Sequence, residues 1–224
     1  MHLLSVNVGQ EQAIQFAKAS GKTGIYKQPS QEPVSITRDG LAGDVICDTE
    51  NHGGEDQAVY VYSSLDYAWW SAALGRELVP GTFGENLTIA DLETEPIQIG
   101  DRLQVGAVLL EVTSPRIPCV TLATRMGDPA FVKRFKEAER PGLYCRVIEP
   151  GMVKVGDPVS LVAYQGTTLP ALELFRRFFE GTGDTDEVFL RRALAAPVAI
   201  RDRVEKEAQL AALLAKAASP GTGE

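Results

Sequence analysis

Turn-forming residues constrain this chain more than any other feature. Through about Val162, Gly, Pro and Asp recur roughly every eight to twelve residues with short β-branched runs between them, the spacing of an all-β barrel or sandwich. The stretch from Ile97 to Val112 reads as strand, turn, strand, turn, strand. Gly100-Asp101 and Gly156-Asp157 each follow a β-branched run, so a similar turn is expected to close two hairpins. Two helices interrupt the strands. Ser63 with Asp66 forms a weak capping box ahead of Leu65, Trp69 and Ala72 at helical spacing, and Gly75 ends that helix. Asp128-Pro129 opens the second, with Phe131, Phe135 and Ala138 along one face before Pro141-Gly142 stops it.

Beyond Val162 the pattern turns helical. Pro170 to Glu180 carries Leu172, Phe175 and Phe179 and is broken by Gly181-Thr182-Gly183; Asp184 with Glu187 caps a helix through about Ala195, and a third runs from about Val198 to Ala218. The chain therefore divides into a mainly β part with inserted helices, residues 1–162, a three-helix unit, residues 163–218, and a tail, residues 219–224. Three short helices bury too little surface to be stable alone. They are expected to dock on the β part or on another subunit, which leaves a homo-oligomer open.

The net charge of −8, from 22 basic and 30 acidic residues, disfavours nonspecific binding to nucleic acid or anionic membranes, because both need a basic surface. No apolar run approaches the roughly 18 residues of a membrane helix, and Met1 to Asn7 lacks a basic leader region. A cytoplasmic protein is expected. A small anion needs only a local cluster of cations, for which Lys27, Arg38 and Arg116 are the candidates.

The 3 cysteines, Cys47, Cys119 and Cys145, are odd in number and widely spaced without a C-x-x-C, and so read as individual thiols. Cys119 ends Ser114-Pro115-Arg116-Ile117-Pro118-Cys119, where the nearby Arg116 favours a thiolate and two prolines fix φ. Free cysteine is more often inert packing; what argues otherwise is its company, His52-Gly53-Gly54-Glu55-Asp56 and the Gly81 to Thr88 loop. Cys47 and Cys145 lack such framing. A zinc site from His52, Cys47 and Cys119 can be drawn, but the spacing has no zinc signature. Gly53-Gly54 lets backbone approach a ligand closely, and His52 is suited to relay protons. Asp56 either orients His52 or caps a turn, and Asp44 reads as shaping a turn. Gly84-Glu85-Asn86 offers backbone N–H groups, a carboxylate and an amide in one loop, or else a structural turn.

Taken in order, Gly40 to Asp44, His52 to Tyr60, Thr82 to Thr88 and Pro115 to Cys119 resemble a MOSC domain, the module named for the C-terminal part of molybdenum cofactor sulfurases. More narrowly they resemble its YiiM-like subgroup, in which a three-helix unit follows the domain. The resemblance implies a MOSC-type β-barrel with inserted helices that binds a molybdopterin-type molybdenum cofactor or handles its sulfur. It makes Cys119 the molybdenum ligand or persulfide carrier. Beside such a cofactor His52 would donate to an oxo group or relay protons, Arg116 would pair with the phosphate or hold the thiolate, and Lys27, where the family pattern tends to have a lysine, would bind the phosphate, with Gly53, Gly54, Asp56, Gly84, Glu85 and Asn86 in the cofactor's surroundings. Relatives reduce N-hydroxylated compounds, so a small-molecule substrate is implied. A separate flavin or iron–sulfur donor is required, because no dinucleotide fingerprint or cysteine cluster is present to carry electrons. Pyridoxal phosphate, associated with an aminotransferase-like domain of the sulfurases, is not expected. A persulfide carrier is the second reading. A thiol hydrolase using Cys119 and His52 is the third, with no nucleophile motif behind it.

Overall fold

The computed structural model describes residues 1–16, 21–50, 52–180 and 186–218. In chain order they form β1 (Leu3–Val8), β2 (Gln12–Ala13), β3 (Lys22–Thr23), β4 (Gln28–Pro29), β5 (Val34–Thr37), β6 (Gly40–Leu41), β7 (Val59–Ser63), α1 (Ser64–Leu74), β8 (Leu87–Ile89), β9 (Arg102–Val105) and β10 (Val108–Pro115). There follow α2 (Val120–Met126), α3 (Phe131–Ala138), β11 (Leu143–Glu149), β12 (Gly151–Val153), β13 (Val159–Val162), α4 (Ala171–Phe179), α5 (Glu187–Ala195) and α6 (Ile200–Ala218). None of these helices is long and apolar enough to cross a membrane.

Among the described residues the strands do not close into the expected barrel. Eight strands form one sheet in the order β13-β9-β10-β11-β7-β8-β1-β4, with β13 and β4 at its edges, and β12, β5 and β6 form a second, smaller sheet. The fold is therefore mixed α/β around a large open sheet. Register shifts at Leu3/Ser5, Leu109/Leu110 and Val112/Ser114 mark where extra residues bend the strands. The sheet curls enough for His2 to bridge Pro158, but that contact is a single bridge and not a ladder.

The two Gly-Asp turns are alike, although neither closes a hairpin. At each, the aspartate accepts a bond from the amide three residues back, Asp101 from Gln98 N and Asp157 from Lys154 N, both at 2.9 Å. The segment before Gly100 makes only an isolated bridge, Gln98 to Pro170, in place of the expected strand, and the Gly156 turn leads from β12 to β13, which lie in different sheets.

Helix α1 presents a different face from the one its periodicity suggests. Leu65 and Trp69 are 43% and 40% exposed, whereas Asp66, Tyr67 and Trp70 are buried. Ser63 caps the helix through Leu65 N, but Asp66 does not reach back to complete the box; it bonds Arg140 at 2.5 Å and Thr94 at 3.0 Å. An ion pair between the buried Asp66 carboxylate and the half-buried Arg140 thus overrides the apolar stripe. Trp70 lies 5.1 Å from Phe131 and 5.9 Å from Phe135 in an aromatic core shared with Tyr62, Phe83 and Phe175. Trp70→Ala is expected to destabilise the protein by about 3–5 kcal/mol and Trp69→Ala by about 1 kcal/mol or less, read from denaturant melts. Similar losses for both would mean that the two faces are equivalent.

The second core lies on the inner face of the sheet. Strand β11 alternates strictly, sending Leu143, Cys145 and Val147 into that core and turning Tyr144 and Arg146 to the other side. The same core takes in Leu174 of α4 and Phe189, Leu190 and Ala193 of α5, so the helical unit docks on the sheet. Asp184, the expected cap of α5, lies outside the described residues; Asp186 caps the helix through Phe189 N at 2.6 Å.

Candidate functional site

The segment ahead of Cys119 leaves β10 at Pro115, and a helix that the sequence reading missed begins directly after it. Cys119 is the N-cap of α2, extended at φ −130° and ψ 169°. Leu122 and Met126, four residues apart and followed by Gly127 in the left-handed conformation, were the available signal. The Cys119 thiol therefore meets the Leu122 amide on one side, with the His52 imidazole and the Arg116 guanidinium on the others. Burial alone would push this thiol up. The His52 hydrogen bond, the Arg116 charge and the Leu122 amide outweigh burial and bring it down to about 6.

Arg116 is 4% exposed. Its guanidinium lies 5.1 Å from the Tyr60 ring, one Nη donates to the Phe83 carbonyl, and its Nε is buried with no partner. A buried donor left open is costly unless something accepts from it. Tyr144 completes this wall, its ring 5.0 Å from Tyr60. Pairing of β11 with β7 sets Tyr144 opposite Tyr60, and pairing with β10 sets it opposite Ser114.

These groups line a cavity of about 100 Å³ together with Lys27, Asp44, His52, Gly53 and Asn86. Lys27 is 7% exposed and pairs with the Asp44 carboxylate, which also accepts from Gly9 N at 2.6 Å and Asn86 Nδ2 at 2.9 Å. Burial pulls the Lys27 ammonium down, and Asp44 offsets only part of that. Asp44 thus does more than shape a turn. Two glycines hold this layer together. A Cβ on Gly24 would overlap the Val45 carbonyl, and at Gly53, where φ is +75°, a Cβ would stand 2.9 Å from Ile46.

Gly84 also lines the cavity, but three residues expected near it are placed elsewhere. Glu85 is fully buried and accepts from Gly81 N at 2.6 Å, Tyr67 Oη at 2.7 Å and Thr88 Oγ1 at 2.7 Å; burial raises its carboxyl. It organises the loop from within. Gly54 is exposed and starts the short 3₁₀ turn Glu55–Gln57. Asp56 does not orient His52: it pairs with Arg146 at 3.0 Å and accepts from Ile200 N at 2.6 Å, tying α6 to the sheet. Arg38 is exposed in the β5–β6 turn and takes no part in the cation cluster. Tyr60, Gln57, Thr121 and Tyr144 are site residues that sequence reasoning passed over, and Asp44 is one that it read only as a turn former. Among the described residues, no three His, Cys, Asp or Glu side chains gather as a metal-holding group.

The environment of Cys119 sets an expectation for its chemistry. Alkylation by iodoacetamide should be selective for Cys119 and half-maximal near pH 6, falling as the pH drops below that value and the thiolate protonates. Burial raises the thiols of Cys47 and Cys145. A midpoint near the ordinary thiol value of about 8.5 would show that His52 and Arg116 do not act on Cys119.

Comparison with known proteins gives three findings. The sequence profile of the MOSC domain matches residues 48–160. A Bacillus subtilis protein, YflK, is 37% identical over 72% of this chain and 73% of its own, and a Gibberella moniliformis protein described as a reductase is 36% identical over 62% of this chain but only 26% of its own. The crystal structure of YiiM from Geobacillus stearothermophilus superimposes with a TM-score of 0.76 at 25% identity, over 93% of this chain and 98% of that one.

Proposed function

The chain belongs to the MOSC domain family, and from that membership we propose that it is a molybdenum cofactor-binding reductase of N-hydroxylated compounds with Cys119 on the metal. The observation that carries this reading is the setting of Cys119, whose thiol lies against His52, Arg116 and the Leu122 amide, groups that together bring it down to about 6. A soft thiolate is the donor that a sulfur-rich molybdenum centre takes from protein. The unpartnered Nε of the buried Arg116 fits an anionic group such as the cofactor's phosphate. Lys27 fits less directly, because Asp44 already pairs with it. A drug-sized ligand fills about 300 Å³ or more, so the cavity of about 100 Å³ seats only the reactive end of such a group.

When bound, the cofactor supplies two-electron redox chemistry, with electrons from a separate flavin or iron–sulfur protein. Reduction of R–NHOH to R–NH₂ breaks the N–O bond, consumes two electrons and two protons, and releases water. His52, bonded to Cys119, is the group able to hold and deliver a proton at the site. Arg116 fixes the negative charge of the thiolate and of the bound group together. Gly53 keeps the wall clear of side chain.

Metal, pterin and sulfur analysis of protein made in a cofactor-competent host tests the reading. Stoichiometric molybdenum and pterin that are lost in the Cys119 variant support it. The same thiolate also favours the second reading, a persulfide carrier, which labile sulfane sulfur without molybdenum would establish instead. Absence of both overturns the two together.

A further inference from the structure

A second chamber, of about 530 Å³, also borders Cys119 and shares Asp48, His52, Gln57, Thr121 and Tyr144 with the first cavity. Its volume lies within the range of small-molecule pockets, about 300–1,000 Å³. Its walls come from both parts of the chain. Ile117 and Val132 face Leu174, Phe178 and Phe179 of α4, and α6 adds Arg201, whose guanidinium donates to the Thr49 carbonyl, with Asp202, Glu205 and Lys206.

Lys206 is the unusual member. It is 4% exposed, and among the described residues its Nζ meets one acceptor, Glu205 Oε1 at 3.4 Å, on a carboxylate whose side chain is 47% exposed. An ammonium carries three donors, and burying it without good acceptors is costly. Asp202 stands one helical turn earlier, so the two side chains share a face with Cβ atoms about 5–6 Å apart, and they form no ion pair within 4.0 Å. The chamber is thus offered a donor and an acceptor side by side that do not satisfy each other. Burial pushes the Asp202 carboxyl up to about 6 against the pull of Lys206.

We infer that Lys206 and Asp202 select the substrate, reading an adjacent acceptor and donor, such as a carboxamide, on the end of an aromatic molecule that points away from Cys119. The inference rests on the reductase reading only for the identity of the reacting group. Apolar and aromatic walls hold the ring, Lys206 donates to the carbonyl, and Asp202 accepts from the amide N–H. The helical unit then determines specificity, and the β part carries the thiolate.

The test uses an N-hydroxylated benzamidine bearing a para-carboxamide, its para-methyl analogue, and the carboxamide amidine without the N-hydroxyl group. For the full-length, cofactor-loaded protein, Lys206→Met should raise KM for the carboxamide substrate about tenfold or more, with KM for the methyl analogue and kcat for both nearly unchanged. Asp202→Asn should act in the same direction, with melting temperature as the folding control. Calorimetric binding of the non-reducible carboxamide to the wild-type protein, weakened about tenfold by Lys206→Met, reads the chamber without turnover. If binding shows that preference but neither substrate is reduced, the reductase reading fails and the chamber assignment stands. Equal effects on the carboxamide and methyl compounds, or no binding of the carboxamide amidine, overturn the inference.

Discussion

Cys119→Ser is expected to abolish both reduction and stoichiometric molybdenum retention while leaving the fold nearly unchanged. Serine removes little volume, and the cap position at φ −130° suits it, so α2 loses nothing at its N-terminus. What disappears is the soft ligand. A hydroxyl in its place is neither ionised near neutrality nor matched to a sulfur-rich metal centre. Activity should fall by a factor on the order of 10³ or more, the scale seen when a reacting group is removed from a preorganised site. Cys47→Ser should retain activity, although Cys47 borders the same cavity. Cys145 is fully buried in the sheet core, so Cys145→Ser places a hydroxyl there at a cost of about 1–3 kcal/mol and lowers the melting temperature, again with activity kept. An active, molybdenum-loaded Cys119 variant beside an inactive but folded Cys47 or Cys145 variant would move the site elsewhere.

Removing the chain after Val162 is expected to unfold the protein and not merely to trim it. All the sequence motifs that resemble the family precede that point, so the sequence alone suggests a truncated form that aggregates or melts lower but keeps some cofactor binding when soluble. The packing sets the size of the loss. Phe189, Leu190 and Leu174 belong to the sheet core, and Leu172 and Phe175 to the aromatic core. Each buried side chain of this kind contributes about 1.5–3 kcal/mol, which for five of them is on the order of 10 kcal/mol, comparable to the whole stability of a typical domain at about 5–15 kcal/mol. Asp56 and Arg146 would also lose their partners on the helical side. The truncated chain should be insoluble or melt without cooperativity, and co-expression of the missing segment should restore a soluble complex. A monomeric truncation with an unchanged, cooperative melt would show that the helices contribute nothing to the two cores.

Much of this protein is written locally. The turn residues, the α3 stripe of Phe131 and Phe135, the extent of α4 and the change to helix after Val162 all follow from short-range rules of φ preference and periodicity. Cys119 and His52 were legible as well, because a cysteine beside a fixed cation and a histidine beside two glycines are uncommon side-chain settings, and the order of the motifs places the family. What the sequence could not contain is which groups meet. Strand pairing brings Tyr144 beside Tyr60, and Asp44 is drawn to Lys27 across residues distant in the chain. Asp56 turned out to hold α6 and not His52, and Glu85 to brace its own loop, because a carboxylate goes to whichever donors the backbone delivers. Periodicity chose the wrong face of α1 for the same reason, since the Arg140 partner of Asp66 is fixed only by packing. The open edges of the sheet and the chamber between Cys119 and α6 likewise depend on long-range register and docking, which local propensity does not encode.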